Sequence, residues 1–480
     1  MRAMADVLHV TSEVVPFSKT GGLADVCAAL PEALSRRGHK VAIATPLYAR
    51  VDRARYHVQP AGISFPVTLG DRTCEFQVFQ SMLPAGTRVY LLGCDELYGR
   101  PELYGTRDGD YADNHVRFAF LAAAAFRLLR ALRWRPDVIH GHDWQAGLVP
   151  AFNRWNHLEL SGTVMTVHNL AYQGNFPAEV VPEVGLPWAA YRAEGGAEFW
   201  GRLSFLKAGM VCADAVTTVS PTYAREVRTP EGGVGMDGVL RALEERFSGI
   251  LNGADYLDWD PASDHHLPAT YSAKDLSGKA ECRKVLLETF GLTEPNGPLF
   301  GVVGRLTSQK GYDLMGECLD DLVAAGGSLV ALGTGERKVE EAFRAAVARH
   351  PGRVGLRIAY DETLAHRVEG GSDFFLMPSR FEPCGLNQIY SMRYGTLPVV
   401  HGTGGLEDTV RDVDEEPGRG TGLKFRSFDR ASLAWAIRRA RALWDDPEAL
   451  RATRLRAMAE DFSWEASARA YEALYEKVSR

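Results

Sequence analysis

No run of about eighteen consecutive apolar residues occurs in this 480-residue chain, so no membrane-spanning helix is expected. Long basic runs and a basic tail are missing as well, and the formal charge is −7. Neither a nucleic-acid partner nor an anionic membrane surface is therefore expected. Cysteine is sparse: Cys27, Cys74, Cys94, Cys212, Cys282, Cys318 and Cys384 are odd in number, with no Cys-x-x-Cys pair and no Cys/His spacing suited to zinc. Reduced thiols fit that pattern better than a disulfide framework, and a cytoplasmic setting follows. The opening segment Met1-Arg2-Ala3-Met4-Ala5-Asp6-Val7-Leu8-His9-Val10 is too short and too charged to read as a signal peptide.

What the chain does contain is 46% apolar and 24% charged residues, the balance of a globular protein, over a length that exceeds one ordinary core. The hexapeptide pattern Thr-Gly-Gly-Leu-x-Asp occurs twice, as Thr20-Gly21-Gly22-Leu23-Ala24-Asp25 and as Thr403-Gly404-Gly405-Leu406-Glu407-Asp408. Paired glycines ahead of a helix remove Cβ atoms and let backbone N–H groups and the helix N-terminus approach an anion. One such loop is most simply a helix-capping turn. Two of them, with Lys19 before the first and with Arg305 and Lys310 after an apolar strand in the second half, point to two α/β domains holding one phosphate-bearing ligand in a cleft.

The first half opens with the strand Val7-Leu8-His9-Val10, a glycine loop, a helix with Leu23, Val26, Cys27, Leu30 and Leu34 at helical spacing, and the strand Val41-Ala42-Ile43-Ala44. That is a βαβ unit, which requires parallel strands. Further strands end at Val138-Ile139-His140, Val164-Met165-Thr166-Val167 and Ala215-Val216-Thr217-Thr218-Val219, while residues 60 to 95 alternate like an antiparallel insertion. Past Leu251-Asn252-Gly253, apolar strands at 299–303, 328–332, 354–358, 374–377 and 397–400 alternate with helical stretches, giving a second open parallel sheet. The fold class is α/β, with two Rossmann-like doubly wound sheets. Residues 1–251 and 252–461 are the expected domains, and 462–480 form a helix expected to pack back on the first.

Six segments carry a resemblance: Lys19-Thr20-Gly21-Gly22-Leu23-Ala24-Asp25; His142-Asp143-Trp144; Val167-His168-Asn169-Leu170-Ala171-Tyr172-Gln173-Gly174; Gly249-Ile250-Leu251-Asn252-Gly253; the 305–311 segment; and Ser379-Arg380-Phe381-Glu382-Pro383-Cys384-Gly385-Leu386. In that order they resemble bacterial glycogen synthase and plant starch synthase, retaining glucosyltransferases of the two-domain GT-B architecture. The resemblance implies transfer of glucose from ADP-glucose to the non-reducing end of an α-1,4-glucan such as glycogen. No cofactor and no metal are implied.

It also implies roles. Arg305 and Lys310 would stabilise the leaving diphosphate, Glu382 would lie by the donor glucose, and His168 beside the same sugar completes the catalytic set. Donor binding would draw on Lys19, Gly22, Asp25, Asn169, Asn252, Tyr360, Cys384, Gly385, Leu386, Thr403 and Gly404, with Tyr360 against the adenine. Asp143 and Trp144 would serve the glucan, one by hydrogen bonding and one by stacking. Related enzymes often carry a second Glu eight positions beyond the first; here that position is Tyr390, so no carboxylate pair for double displacement is evident and front-face attack is expected. Asn387 stands where Thr is frequent, and Gln145 where His is frequent. The tripeptides Asp108-Gly109-Asp110 and Asp412-Val413-Asp414 match the Asp-x-Asp spacing of metal-dependent transferases, but they lie in polar loops and are not expected to hold a cation.

Overall fold

A computed structural model describes residues 4–107, 109–156 and 161–479. By the density of its internal contacts the chain divides into two compact units, one formed by 1–253 with 464–480 and the other by 254–463.

The first unit is built on a nine-stranded sheet in the spatial order Phe247–Gly249, Ala215–Thr218, Gly162–Val167, Val138–His142, Asp6–Val10, Lys40–Pro46, Arg88–Gly93, Arg72–Met82, Gln59–Leu69. The residues expected to form an insertion do form antiparallel strands. Their last member also pairs in parallel with Lys40–Pro46, so the insertion lengthens the main sheet. Chain order reverses at Asp6–Val10, which lies between Lys40–Pro46 and Val138–His142. In an open α/β sheet that reversal opens a crevice beyond the carboxyl ends of the strands, and ligands bind there. Thr11, Ser12 and Glu13 leave the sheet on one side of it, and Asp143 on the other.

Helix Gly22–Arg36 turns Val26, Leu30, Ala33 and Leu34 toward Val7, Val41 and Val138 of the sheet. The same cluster holds Trp464, Ala468, Tyr471 and Tyr475 of the last helix, Trp464–Val478. Burying each such aromatic contributes on the order of 1.5 to 3 kcal/mol. Polar contacts fix the helix in place: Tyr475 Oη lies 2.7 Å from His140 Nδ1, Ser467 Oγ donates to the Leu251 carbonyl at 2.7 Å, and Glu472 accepts from Arg37 Nη2 at 2.9 Å.

The second unit carries six parallel strands in the order Val354–Arg357, Ser328–Leu332, Leu299–Val303, Phe374–Met377, Leu397–His401, Leu423–Phe425. Numbered along the chain this is 3-2-1-4-5-6, the doubly wound dinucleotide-fold order. Both faces are buried. Phe374 and Leu376 pack in one core while Phe375 and Met377 pack in another, so the strand reads as a continuous apolar run without alternation. Leu423–Phe425 was not anticipated from the sequence; at three residues it is too short to show a period.

Candidate active site

The reversal point of the second sheet lies between Leu299–Val303 and Phe374–Met377, so the loops after these two strands border one crevice. The first loop holds Arg305 and Lys310, and the second holds Ser379 and Glu382. Gly311 closes the first loop at φ 71°, and a Cβ there would come within 1.8 Å of the Pro378 carbonyl oxygen. Only glycine allows that approach. It seats Lys310 Nζ 2.6 Å from Glu382 Oε2, to which Ser379 Oγ also donates at 3.0 Å. Arg380 reinforces the junction: its N–H donates to the Gln309 carbonyl at 2.9 Å and its guanidinium to Asp313 at 2.6 Å. Glu382 is 5% exposed. Arg305, by contrast, is exposed, and its guanidinium has no ion pair or hydrogen bond among the described residues.

The segment beyond Glu382 is held from behind. Gln388 Nε2 donates to the carbonyls of Cys384 and Gly385, both at 3.1 Å, and Asn387 Nδ2 donates to the Val303 carbonyl at 3.0 Å. The second Thr-Gly-Gly-Leu loop packs against this same segment. Gly404 sits at φ 47°, a Cβ on it would lie 2.0 Å from the Glu382 carbonyl oxygen, and Gly405 N–H donates to that oxygen at 3.0 Å. Glycine at 404 and 405 is thus required by backbone-to-backbone packing. Leu386 precedes helix Asn387–Arg393, Tyr390 stacks on Trp259 with centroids 4.3 Å apart, and Tyr360 stands 86% exposed before helix Glu362–Gly371.

In the first unit the matching loop behaves differently. Gly21 and Gly22 are exposed, and Cβ atoms added there would meet nothing within 4 Å. Gly22 begins a fifteen-residue helix whose N-cap supplies no side chain, which leaves an open, electropositive helix end. Lys19 Nζ pairs with Asp25 at 2.7 Å, both well exposed. Sequence reasoning missed the organiser of this loop, Glu13. Its buried carboxylate accepts from Thr20 N–H, from Thr20 Oγ1 at 2.6 Å and from Tyr104 Oη at 2.5 Å.

Across the same sheet end, Asp143 occupies φ 55°, a conformation that costs a non-glycine residue on the order of 1 to 3 kcal/mol. The strain turns its carboxylate inward to accept the His168 N–H at 2.7 Å. Burial raises the Asp143 carboxyl to about 7, against the opposing pull of the backbone N–H groups of His168 and Asn169. Trp144 is 9% exposed and packs edge-on to Phe118 at 5.0 Å, beside Phe176 and Gly174. In these positions the Asp143 carboxylate binds main chain, and the Trp144 indole packs among aromatic side chains. Asn169 Oδ1 accepts from Ala171 N–H at 3.0 Å, and the buried Asn252 Oδ1 has no partner among the described residues.

His168 Nε2 lies 3.0 Å from His142 Nδ1, and His142 Nε2 lies 3.0 Å from His9 Nδ1. Burial holds His9 and His168 near 3 and His142 well below the usual imidazole range, so the three rings are neutral. A neutral His142 in contact at both nitrogens donates from one and accepts at the other, which links the tautomers of all three rings. The sulfur of Cys27 approaches the His142 and His168 nitrogens within 4.8 Å, a grouping that linear spacing concealed.

Of the two Asp-x-Asp candidates, the second is described in full and the first only in part. Asp412 is buried, donated to by Arg439 Nη2 at 2.6 Å and by Asp414 N–H at 2.9 Å, while Asp108 lies outside the described residues. All seven cysteines are buried thiols, and among the described residues no helix is long and apolar enough to cross a membrane.

Comparison with known proteins agrees with this geometry. Residues 6–242 match the family described as starch synthase catalytic domain, and residues 289–454 match glycosyl transferases group 1. The chain is 52% identical to a glycogen synthase of Anaeromyxobacter sp. (strain Fw109-5) over 99% of both chains, and 48% identical to that of Myxococcus xanthus (strain DK1622) over 98% of both. Among solved structures, the catalytic domain of starch synthase IV from Arabidopsis thaliana, bound to ADP and acarbose, superposes with a TM-score of 0.90 at 32% identity, covering 99% of each chain. With two Rossmann-like units, an Arg-Lys loop and a Glu loop at one sheet crevice, and relatives of this identity over its whole length, the chain belongs to the glycogen and starch synthase family, glycosyltransferases of the GT-B fold.

Proposed function

We propose that this enzyme transfers glucose from ADP-glucose to the non-reducing 4-hydroxyl of an α-1,4-glucan with retention of configuration, elongating glycogen in the cytoplasm. The second unit holds the donor and the first the acceptor. The observation that carries the reading is the Lys310–Glu382 pair at the sheet crevice, in a chain with full-length glycogen synthase relatives.

Cleavage of the anomeric C–O bond leaves negative charge on the diphosphate and positive charge on the sugar. Arg305 and Lys310 answer the first, since fixed cations act most strongly where charge develops. Glu382 answers the second by orienting the glucose hydroxyls and opposing the oxocarbenium charge. With Tyr390 stacked on Trp259, the Glu382 loop gains no second carboxylate from that position, and this supports front-face attack with the departing phosphate taking the acceptor proton. His168, neutral, with its backbone N–H held by Asp143 and its ring by His142, holds a sugar hydroxyl and does not protonate the leaving group. Lys19 and the open N-terminus at Gly22 supply further anion contacts, with Asp25 restraining the lysine.

Incubation with glucose-labelled ADP-glucose and glycogen tests the reading. Label entering the polymer, released by an α-1,4-specific amylase, is expected. Epimerised free donor with no polymer label overturns it, and competition by UDP-glucose decides the nucleotide.

A further inference from the structure

In the second unit, away from the Lys310–Glu382 pair, His366 sits on helix Glu362–Gly371 with 0% exposure. Its Nδ1 lies 2.8 Å from Asp264 Oδ2. That carboxylate also accepts from Tyr394 Oη at 2.5 Å, and its other oxygen accepts from His266 N–H at 2.8 Å. With Asp264 Oδ2 at hydrogen-bonding distance from Nδ1, a proton carried on Nδ1 leaves Nε2 as the ring's acceptor nitrogen. Trp259 stacks on the imidazole at 3.7 Å between centroids, which fixes the ring plane.

Nε2 is buried and has no hydrogen-bond partner among the described residues. A water molecule or an ion would satisfy such a nitrogen, and its surroundings decide which. What it faces is Asp258 Oδ2 at 4.0 Å, beyond hydrogen-bonding reach, together with the carboxylate of Glu362. Glu362 and His366 are one helical turn apart and so share a face. One ligand atom from each of the three residues lies within 4.8 Å of the other two. A histidine oriented by a carboxylate through its far nitrogen, with its near nitrogen aimed at two further carboxylates, is the donor set of a metal centre.

We propose that Asp258, Glu362 and His366 bind one divalent transition-metal ion, Zn2+ or Mn2+, through one nitrogen and two carboxylate oxygens, with water completing the shell. Bonds of about 2.0 to 2.2 Å place such ligands roughly 3 to 4 Å apart, so the two carboxylates close in by about 1 Å. Both belong to exposed residues, which permits that movement and keeps the remaining positions open to water. The mixed nitrogen and oxygen set favours these ions over Mg2+, which keeps its own water shell. Bound there, the ion fastens residues 255–264, just past the crossing between the units, to helix Glu362–Gly371. The assignment is independent of the glucosyl-transfer reading.

The test uses the full chain, stripped with EDTA and titrated separately with ZnCl2, MnCl2 and MgCl2 by calorimetry and by thermal melting. Expected are one equivalent of Zn2+ or Mn2+ bound, a raised melting temperature, and no comparable Mg2+ response. Asp258→Asn and Glu362→Gln alter exposed side chains and leave the core intact; each is expected to weaken binding at least tenfold and to abolish the thermal shift. Co2+ is expected to give ligand-field bands without thiolate charge transfer. Absence of stoichiometric binding, binding unchanged in both variants, or a thiolate band overturns the proposal.

Discussion

Lys310 Nζ lies 2.6 Å from Glu382 Oε2, a pair formed between two strand-end loops 72 positions apart. The carboxylate is nearly buried and the ammonium about one quarter exposed, so removing one partner leaves the other with its contact unmade and little solvent to replace it. The pair sets opposite charges side by side at the crevice where charge separation is to be stabilised.

Replacing Lys310 by Ala is therefore expected to lower kcat/KM for ADP-glucose by about 30- to 1000-fold, equivalent to roughly 2 to 4 kcal/mol. Because the substitution also strands Glu382, a Lys310→Ala/Glu382→Gln double variant is expected to lose less than the two single losses added together. Strict additivity in that cycle would show that the two side chains act separately.

Arg305 offers a cleaner separation of activity from stability. Its guanidinium makes no contact to lose among the described residues. Arg305→Ala should leave the melting free energy within about 0.5 kcal/mol of the parent while cutting donor use at least tenfold. A marked loss of stability, measured by denaturant titration, would contradict the solvent-facing placement.

The two Thr-Gly-Gly-Leu loops should respond oppositely to a methyl group. Gly404→Ala places a Cβ 2.0 Å from the Glu382 carbonyl oxygen at positive φ and is expected to cost about 2 kcal/mol or more of stability. Gly22→Ala meets open space and is expected to change stability by less than about 0.5 kcal/mol, with its effect confined to donor affinity. Equal melting temperatures for the two variants would refute the distinction.

Asp143 predicts a pH dependence. Its carboxyl is raised to about 7 in the fold, above the unfolded value near 4, so the folded chain binds the extra proton between those limits. The contribution to stability is full below about pH 4 and is lost as pH rises through 7, by a few kcal/mol at most. Asp143→Asn keeps an acceptor for His168 N–H but cannot titrate. Its unfolding free energy is expected to fall less steeply than that of the parent between pH 5 and 8, and parallel curves would remove Asp143 as the source.

Much of the fold was legible because buried parallel strands leave dense apolar runs. Leu299-Phe300-Gly301-Val302-Val303 and Phe374-Phe375-Leu376-Met377 are strands in the structure, and the residues expected to bear charge stand in the loops after them. What stayed hidden was contact between distant positions. Glu13 binds the Thr20 backbone, and His9, His142 and His168 join nitrogen to nitrogen, although each reads alone as an ordinary polar residue near a strand end. The contacts of Asp143 and Trp144 stayed hidden for a related reason. Residue type advertises a hydrogen bond or a flat ring, while the strained backbone at Asp143 and the packing of Phe118 and Phe176 decide what each one meets.

The helix Trp464–Val478 supplies Tyr475 to His140 and Ser467 to Leu251, and its aromatics fill the core of the unit formed by the first 253 residues. On the ribosome, that unit cannot finish its core until residues 464–478 and those between have emerged. The second unit, contiguous from 254 to 463, has by then emerged in full. The unit that is begun first is thus the one whose last structural piece is synthesised last.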